Sequence, residues 1–269
     1  MGRSFGLATI SLPRAATIQV GGRVSVVNLR HGQYCVRHAA SESDRLAAFR
    51  LRFEVFNIEL KEGLESAYAT GQDCDEFDAV CDHLIVEHSA TGEVVGTYRL
   101  QTGLMAKANL GYYSEREFQF DPYEPLRDQV IELGRACIHR EHRSTDVLYL
   151  LWRGIAQYAL HCHSRYLIGC SSLTSQDSAH GRAVYEALGK YMVEPGLRTE
   201  PQPEFTMPLA EPAGASAKVP KLLGAYLAIG AKICGPPAID REFKTIDFLT
   251  LLDLQGLHPR IRARFLRGF

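Results

Sequence analysis

One predicted strand, over residues 131–138, carries a carboxylate and a guanidinium among apolar neighbours. These are Glu132 and Arg135, three positions apart. Because side chains of a strand alternate between its two faces, this spacing puts them on opposite faces unless a bulge intervenes. Gly134 lies between them and is a natural bulge site. A bulge would also splay this strand from its neighbour and open a slot in the sheet.

A carboxylate in such a slot suits the N-acylation of an amine. The amine must be neutral to attack a thioester, whereas a free α-amine is largely protonated at neutral pH. Glu132 could remove that proton as a general base, directly or through water. The alternative is a structural ion pair between Glu132 and Arg135, and the residues alone favour neither hypothesis over the other.

A candidate phosphate site follows this strand. The segment 139–145 is basic and leads into a helix predicted over 146–162. Free N–H groups at a helix N-terminus, next to basic side chains, suit a phosphate group. An ordinary capped helix start with solvated charges is the alternative.

Other reactive residue types give weaker predictions. The loop 73–78 carries three aspartates that could bind the ammonium group of an amine substrate, although a solvated acidic loop is the alternative. No metal-ligand spacing occurs, so we expect no bound metal. Neither Cys137 nor Cys170 lies in the sequence context of a nucleophile elbow, which disfavours covalent catalysis by cysteine.

Apolar periodicity predicts the elements that must position these residues. Strands are predicted at 34–38, 83–88, 94–100, 131–138 and 165–173, and helices at 46–56, 146–162 and 179–191. Ser41 and Asp44 form a candidate capping box before the first helix. The order of elements predicts a mixed α/β or α+β domain with a central sheet.

We expect four segments along the chain. They are a partly ordered leader over 1–33 with a short strand at 18–20 or 23–27, a core over 34–193, a Pro/Ala/Gly-rich linker or loop over 194–220, and an extension over 221–269 that packs on the core and ends in a basic tail. Long irregular stretches are expected at 57–80 and 103–128.

Composition excludes some classes of function. The 269 residues carry a formal net charge of -1, which gives no electrostatic support for a nucleic-acid partner. The seven cysteines form no CxxC pair, which favours a reducing cytoplasm over a disulfide framework. The longest apolar run, 222–234, is too short for a bilayer, and no signal peptide is evident. We therefore expect a cytoplasmic protein, with peripheral membrane contact left open.

An ordered set of motifs resembles the autoinducer-synthase branch of the GNAT acyltransferases. The set is Arg52-x-x-x-Phe56, Asp75-x-x-Asp78, Val95-Gly96-Thr97-Tyr98-Arg99-Leu100, Phe118 and Glu132-x-x-Arg135. That branch contains acyl-homoserine lactone synthases, N-acyl amino acid synthases and ornithine N-acyltransferases. Each motif is weak alone, but their order is specific.

The closer resemblance is to the ornithine N-acyltransferases of ornithine lipid biosynthesis, and it covers about residues 34–250. Its further motifs are Phe77-Asp78-x-x-Cys81-Asp82-His83-Leu84, Tyr113-Ser114-Glu115-x-Glu117-Phe118, Leu151-Trp152-x-Gly154-Ile155-Ala156, Gly169-Cys170-Ser171-Ser172 and Ile239-Asp240-x-x-Phe243-x-Thr245-x-Asp247. The leader and the basic tail lie outside this resemblance.

The resemblance implies a GNAT fold and a set of site residues. The fold would have a central mixed, mostly antiparallel sheet, flanked by helices and splayed where an acyl-pantetheine thioester inserts. The implied catalytic residues are Glu132 as the base, with Arg135, Asp75 and Asp78. The implied substrate-binding residues are Arg52, Phe56, Arg99 and Phe118. The two phenylalanines would line the acyl or pantetheine slot, and a buried charged network would shape the acceptor pocket; its members are Arg52, Asp75, Asp78, Arg99 and Arg135. The implied phosphopantetheine-binding residues are Arg140, Arg143, Ser144 and Thr145.

The segment 140–145 points to the acyl donor. GNAT enzymes that use coenzyme A usually have a glycine-rich phosphate loop here, whereas this segment has no glycine for close approach to a pyrophosphate. The phosphopantetheine of acyl carrier protein has no pyrophosphate, so it is the expected donor substrate and no cofactor is expected to be bound. Carrier proteins are acidic, and the basic loop and tail could dock one or meet anionic lipid. A solvated or disordered tail is equally open.

The expected activity is transfer of a long-chain, possibly 3-hydroxylated, fatty acyl group from acyl carrier protein to the α-amino group of ornithine, which gives lyso-ornithine lipid. One alternative keeps the chemistry and changes the acceptor to another amino acid, or makes an acyl-homoserine lactone. A second alternative is a non-catalytic GNAT-like module that binds acyl carrier protein or lipid.

Overall fold

A computed structural model describes residues 27–208 and 217–265. The strand expected at 18–20 or 23–27 falls outside the described residues, apart from Val27. Within the described ranges, nine strands form one sheet and six α-helices pack on it. None of these helices is long and apolar enough to cross a membrane.

The sheet is mixed and mostly antiparallel, as predicted. Its strands are β1 (Asn28–His31), β2 (Tyr34–His38), β3 (Asp82–His88), β4 (Val94–Thr102), β5 (Val130–Ile138), β6 (Tyr166–Leu173), β7 (Lys232–Ile233), β8 (Ala238–Asp240) and β9 (Thr245–Asp253). The order across the sheet is β1-β2-β3-β4-β5-β6-β9-β7, and β8 also pairs with β9. Among the described strands, only β5 and β6 run parallel to each other.

Helices cover both faces of the sheet. They are α1 (Glu42–Arg52), α2 (Gly103–Ala108), α3 (Thr145–His161), α4 (Ser178–Ala187), α5 (Lys221–Ile229) and α6 (Pro259–Phe265). Alternation along β5 separates the two faces, because Cys137 packs toward α1 whereas Ala136 and Ile138 pack toward α3.

The predicted first helix is confirmed, together with its capping box. The Ser41 side chain accepts from the Asp44 backbone N–H, and the Asp44 carboxylate accepts from the Ser41 backbone N–H. The helix then continues as a wider π-helical turn over Phe53–Glu59. This turn carries Phe56 toward the interior of the splayed sheet.

Two predicted elements differ from the structure. The helix expected over 179–191 ends at Ala187, and Gly189–Tyr191 forms a separate 3₁₀ turn. Glycine has a low helix propensity, which favours this break. The stretch 103–128, expected to be irregular, begins with α2, whose first turn is capped by the Thr102 hydroxyl.

The C-terminal segment contributes strands to the same sheet. β9 pairs antiparallel with the whole of β6, from Tyr166 opposite Asp253 to Leu173 opposite Ile246. The described part of 194–220 lies against this assembly and makes single bridges, Pro201 with Phe118 and Thr206 with Ala238. The segment 221–265 therefore packs on the core by extending its sheet.

The strands β5 and β6 part after three residue pairs. The last pair joins Glu132 to Ile168, after which β6 stays with β9 and β5 stays with β4. At the parting point, a Cβ on Gly169 would lie 2.2 Å from the Leu133 carbonyl oxygen. Only glycine allows this close approach, which sets where the sheet opens.

A β-bulge lies on β5 just beyond the parting point. Gly134 pairs with Arg99 and Cys137 pairs with Thr97, so Arg135 and Ala136 together face Tyr98. The left-handed residue of the bulge is Arg135, with a φ of 49°, rather than the Gly134 that the sequence suggested. A left-handed non-glycine residue costs about 1–3 kcal/mol. The contacts of the Arg135 side chain, described below, offset this cost.

Replacing Gly169 by alanine tests this opening. We expect Gly169→Ala to lower the free energy of unfolding by about 1–3 kcal/mol, because the added methyl group overlaps the Leu133 carbonyl. The measurement is urea unfolding. Gly189→Ala is the matched control, since nothing lies within 4 Å of a Cβ there, and it should leave the midpoint unchanged or slightly raised. Equal midpoints for the two variants would contradict the prediction.

Candidate active site

Three arginines and three aspartates form a buried ion network beneath α1. Arg52, which is 1% exposed, ends α1 and binds two of the aspartates. Its Nε donates to Asp73 Oδ1 at 2.8 Å, and its Nη1 and Nη2 donate to the two carboxylate oxygens of Asp78 at 2.7 and 2.8 Å. This paired geometry is the strongest form of arginine–carboxylate contact.

The network continues to the two central strands. Arg99 on β4 donates to Asp75 Oδ1 at 2.5 Å and to Asp78 Oδ1 at 3.2 Å. Arg135 on β5 donates to Asp75 Oδ2 at 2.8 Å, and its guanidinium carbon lies 4.0 Å from the centroid of the Phe243 ring. The network therefore joins α1, the loop 73–78, β4 and the bulge of β5, as the resemblance implied.

Two aspartates of this network, Asp75 and Asp78, remain ionised. Burial alone would raise the pKa of Asp75 and Asp78, but the neighbouring arginines outweigh it and hold both values below their usual range. A carboxylate with a low pKa is a poor proton acceptor, so the geometry suits Asp75 and Asp78 to positioning arginines. The loop 73–78, considered above as an ammonium site, directs its aspartates to arginines instead.

Glu132 has a different environment on the same sheet. It is 5% exposed, and its Oε1 and Oε2 accept from the backbone N–H groups of Ser114 and Tyr113 at 2.7 and 2.8 Å. Burial raises the pKa of Glu132 above its usual range, and the hydrogen bonds from Ser114 and Tyr113 only partly oppose this. A carboxylate with a raised pKa suits a general base near neutral pH. In the described structure Glu132 makes no ion pair with Arg135, so the predicted alternative of a structural ion pair between these two residues is not formed. The role of Glu132 as a base stays a prediction.

A small polar cavity of about 80 Å³ lies in front of Glu132. Arg99 and Arg135 line it near the ion network, and Tyr113 closes one side. The bulge makes this arrangement, because the extra residue brings Arg135 to the same face of β5 as Glu132. The cavity therefore combines positive groups with a carboxylate base.

A larger apolar cavity of about 310 Å³ lies in the splay of the sheet and is lined by α3 as well as by the π-helical turn that follows α1. Ala156 and Trp152 of α3 line it, together with Tyr226 of α5 and Phe265 of α6. Phe56 also lines it, and its role in an acyl or pantetheine slot stays a prediction. Its lining suits a long hydrocarbon chain.

The two cavities meet where β5 and β6 part. Their shared lining residues are Leu133, Gly134, Arg135, Cys170, Ser172, Phe243 and Thr245. Beyond Glu132, no strand of the described residues pairs with the edge of β5 that faces β6, which leaves backbone groups available there. A free backbone N–H at this point could polarise a thioester carbonyl.

Phe118 does not fit its predicted role. It is fully buried in an apolar cluster with Tyr112, Tyr123 and Ile168, and it lines neither of the two cavities that meet beside Glu132. Its backbone bridge to Pro201 holds the described part of 194–208 against the sheet. The structure assigns Phe118 to the core, where the sequence motif alone could not separate a buried from a lining aromatic residue.

The candidate phosphopantetheine residues lie at the start of α3. The Ser144 hydroxyl caps the helix by accepting from the Val147 N–H, and Thr145 is exposed in the first turn. Arg143 donates to the two carboxylate oxygens of Glu59 at 2.5 and 2.7 Å, whereas Arg140 is exposed. A phosphate group at this helix N-terminus would therefore compete with Glu59 for Arg143.

Covalent catalysis by a cysteine thiol is disfavoured where the two cavities meet. Burial and the nearby Glu117 raise the pKa of Cys170 well above its usual range, so its thiol stays protonated. Burial raises the pKa of Cys137 in the same way. All seven cysteines are free thiols.

The sequence reasoning missed a cluster of buried acids at the other end of the polar cavity. Glu117, Asp240 and Asp247 each place one carboxylate oxygen within 4.8 Å of the others. The motifs at 113–118 and 239–247 contain these residues, but the sequence gives no sign that they share a site. They lie far apart in the chain, so only the fold brings them together.

These features define a GNAT-fold acyltransferase that uses an acyl-thioester donor. Residues 51–153 match the family model of the acetyltransferase (GNAT) domain. The N-acyl amino acid synthase FeeM, from uncultured soil microbes, shares the fold with a TM-score of 0.51, at 11% identity over 83% of this chain and 91% of that chain.

Curated relatives are more similar in sequence. The L-ornithine N(alpha)-acyltransferase of Brucella abortus is 32% identical over 253 residues, which are 86% of this chain and 88% of the relative. The protein of the same name from Agrobacterium fabrum is 32% identical over 86% of this chain and 84% of the relative. The chain belongs to the L-ornithine N(alpha)-acyltransferase family.

Removing Arg52 tests the ion network. We expect Arg52→Met to lower the free energy of unfolding by about 3–5 kcal/mol at neutral pH, because it removes the guanidinium that forms the shortest contacts with the buried carboxylates of Asp73 and Asp78 and leaves them only the longer contacts with Arg135 and Arg99. The pKa of Asp78 is lower in the folded than in the unfolded protein. Its ionised form therefore stabilises the fold above the unfolded pKa, and this stabilisation is lost as the pH falls through the folded pKa. The difference in free energy of unfolding between the parent protein and the variant should therefore become smaller below about pH 4.

The measurement is urea unfolding at several pH values. Arg45→Met is the matched control on the same helix, since Arg45 makes only an exposed pair with Glu42, worth at most about 1 kcal/mol. The prediction would be contradicted if Arg52→Met lowered the free energy of unfolding no more than Arg45→Met does.

Proposed function

We propose that this enzyme transfers a long-chain fatty acyl group from the phosphopantetheine thioester of acyl carrier protein to the α-amino group of ornithine, which gives lyso-ornithine lipid. The observation that carries the proposal is the meeting of an apolar and a charged cavity beside Glu132. Such a junction brings a fatty acyl thioester and a small zwitterionic amine to one point.

The acceptor is proposed from the polar cavity and from the relatives. The curated relatives are named for L-ornithine and its α-nitrogen. Two arginines line the cavity, and the buried Nε of Arg135 has no hydrogen-bond partner among the described residues. A guanidinium with a donor to spare suits the α-carboxylate of an amino acid.

Glu132 performs the proton transfer in this proposal. The amine attacks the thioester carbonyl carbon as Glu132 takes its proton, and a free backbone N–H of β5 stabilises the oxyanion. The carbon–nitrogen bond forms, the carbon–sulfur bond breaks, and the proton held by Glu132 passes to the departing thiolate. Because the amine starts as an ammonium group, its second proton then passes to Glu132 and from there to solvent. Burial prepares Glu132 for this task, because a raised pKa lets it both accept and return a proton near neutral pH.

The donor is proposed from the apolar cavity and from the loop before α3. The cavity accommodates an alkyl chain, and the loop 140–145 has no glycine to bring its backbone close to a pyrophosphate. The exposed arginines of α6 and of this loop, which are Arg140, Arg260, Arg262 and Arg264, suit an acidic carrier protein.

Peripheral membrane contact is a further part of the proposal. Leu60 and Leu222 line the apolar cavity and are also 38% and 37% exposed, which places apolar side chains at its rim. An amphipathic product could leave through such a rim into a bilayer surface. The basic side chains of α6 would favour anionic lipid there.

Mass spectrometry of lipid extracts tests the activity directly. The purified protein is incubated with long-chain acyl carrier protein and a mixture of amino acids, and we expect N-acylornithine as the main product. A different N-acyl amino acid as the main product would support the acyl-transfer mechanism but show that the acceptor is not ornithine. No acylated product with donors of several chain lengths would favour a binding module instead.

Replacing the proposed base gives a pH-dependent prediction. Glu132→Gln should retain the fold and donor binding but slow acyl transfer by about 10²–10⁴-fold. The variant depends on amine that is already neutral, so the difference should be largest at lower pH, down to the pKa of Glu132. The measurement is kcat/KM against pH.

The control for this variant is Glu124→Gln, which removes an exposed carboxylate that pairs with Arg127. It should keep the pH profile of the parent protein. A Glu132→Gln variant that matches the parent at every pH would reduce Glu132 to a structural partner of Tyr113 and Ser114.

Narrowing the apolar cavity should shorten the preferred acyl chain. Ala156→Phe places a ring inside this cavity, so activity with long donors should fall more than activity with short ones. The measurement is kcat/KM across donors of graded length. Leu160→Phe is the control on the same helix, because Leu160 is exposed. An unchanged chain-length profile for Ala156→Phe would place the acyl group elsewhere.

A further inference from the structure

Three buried carboxylates converge at one end of the polar cavity. Glu117 follows the turn that binds Glu132, Asp240 ends β8, and Asp247 lies on β9. They are 2%, 6% and 3% exposed, and one oxygen of each lies within 4.8 Å of the other two. All three line the polar cavity.

Among the described residues, no cationic side chain forms a salt bridge with this cluster. Burial, opposed by the hydroxyls of Ser172 and Thr245, raises the pKa of Asp247 to about 6. Burial and the charges of Asp247 and Asp240 raise the pKa of Glu117 well above its usual range. The positive charge of Arg135 lowers these values only in part. A bound cation would relieve the repulsion that remains.

One oxygen of the cluster has no partner. Asp247 Oδ2 accepts from the Thr245 hydroxyl at 2.8 Å, whereas Asp247 Oδ1 is buried and has no hydrogen-bond partner among the described residues. Asp240 Oδ1 is engaged, since it accepts from the backbone N–H groups of Glu242 and Phe243. A buried carboxylate oxygen without a donor is costly unless a ligand supplies one.

The cluster lies close to the proposed base. The Ser114 N–H donates to Glu132 at 2.7 Å, and the Ser114 hydroxyl lies 3.5 Å from Cys170 Sγ. Cys170 Sγ lies in turn 3.8 Å from Glu117 Oε2. Two side chains therefore separate Glu132 from the acidic cluster, within one cavity. This spacing suits an acceptor that carries a second amino group on a short side chain.

We infer that Glu117, Asp240 and Asp247 bind the side-chain ammonium group of the acceptor and thereby select a short dibasic amino acid over a neutral one. This inference rests on the proposed function and assigns residues to its acceptor specificity. An ammonium group has three N–H donors, one for each carboxylate. A site with buried charged partners discriminates strongly against an analogue that leaves them unpaired.

A divalent cation is the competing occupant of three carboxylates. The ammonium group is favoured because the cluster opens onto the cavity that holds Glu132 and the arginines, so one molecule can reach all three groups. A metal would need no such continuity with the proposed base.

The test compares ornithine with norvaline, which has the same carbon skeleton without the terminal amine. For the parent protein we expect kcat/KM for ornithine to exceed that for norvaline by about a hundredfold or more. Asp247→Asn and Glu117→Gln should each lower this ratio at least about tenfold. Asp253→Asn, which changes an aspartate of the same strand that pairs with Arg165, should keep the parent ratio. A parent ratio near one, or an unchanged ratio in both cluster variants, would overturn the inference.

Calorimetry on the parent protein covers the case in which the cluster variants fail to fold. We expect ornithine to bind much more tightly than norvaline in the absence of divalent ions. Tight binding of Mg²⁺ or Ca²⁺ alone, with ornithine activity lost on chelation, would assign the cluster to a metal and overturn the inference. Efficient acylation of neutral amino acids alone would contradict this inference but would still support the proposed acyl-transfer activity. If no acceptor gave a product, both the inference and the proposed activity would be contradicted.

Discussion

The buried pairing of three arginines with three aspartates is the constraint on which the site depends. A guanidinium taken out of water is costly unless carboxylates compensate it, so Arg52, Arg99 and Arg135 fix where Asp73, Asp75 and Asp78 must lie. This network ties α1 to the two central strands. It also holds Arg135 in a left-handed conformation that arginine would otherwise avoid, and so it maintains the bulge on β5.

The bulge on β5 and the parting of β5 from β6 together bring the two cavities to one point. The bulge turns Arg135 to the face of Glu132, and the parting frees the backbone between them. The apolar cavity approaches this point from the side of α3, and the polar cavity approaches from the side of the ion network. Two substrates of opposite polarity can thus meet without either one crossing the other's binding surface.

The polar cavity is lined by groups of both charges. Arg99 and Arg135 of the ion network, Glu132 and the three carboxylates of the acidic cluster all line it. The two kinds of carboxylate differ in environment, because arginines keep Asp75 and Asp78 ionised whereas burial raises the pKa of Glu132 and Asp247. Carboxylates therefore hold the ion network in one place, whereas in another their environment suits them to proton transfer near neutral pH.

Local sequence determined the capping box of α1, most strands and helices, and the residue types of the ion network, because period and capping depend on near neighbours. It also indicated that a bulge must occur near Gly134 if Glu132 and Arg135 share a face. Only the tertiary structure decided that the bulge falls on Arg135, that Phe118 belongs to the core, and that Glu117, Asp240 and Asp247 converge. These facts depend on contacts between segments far apart in the chain, and no local pattern encodes which side chains such contacts bring together.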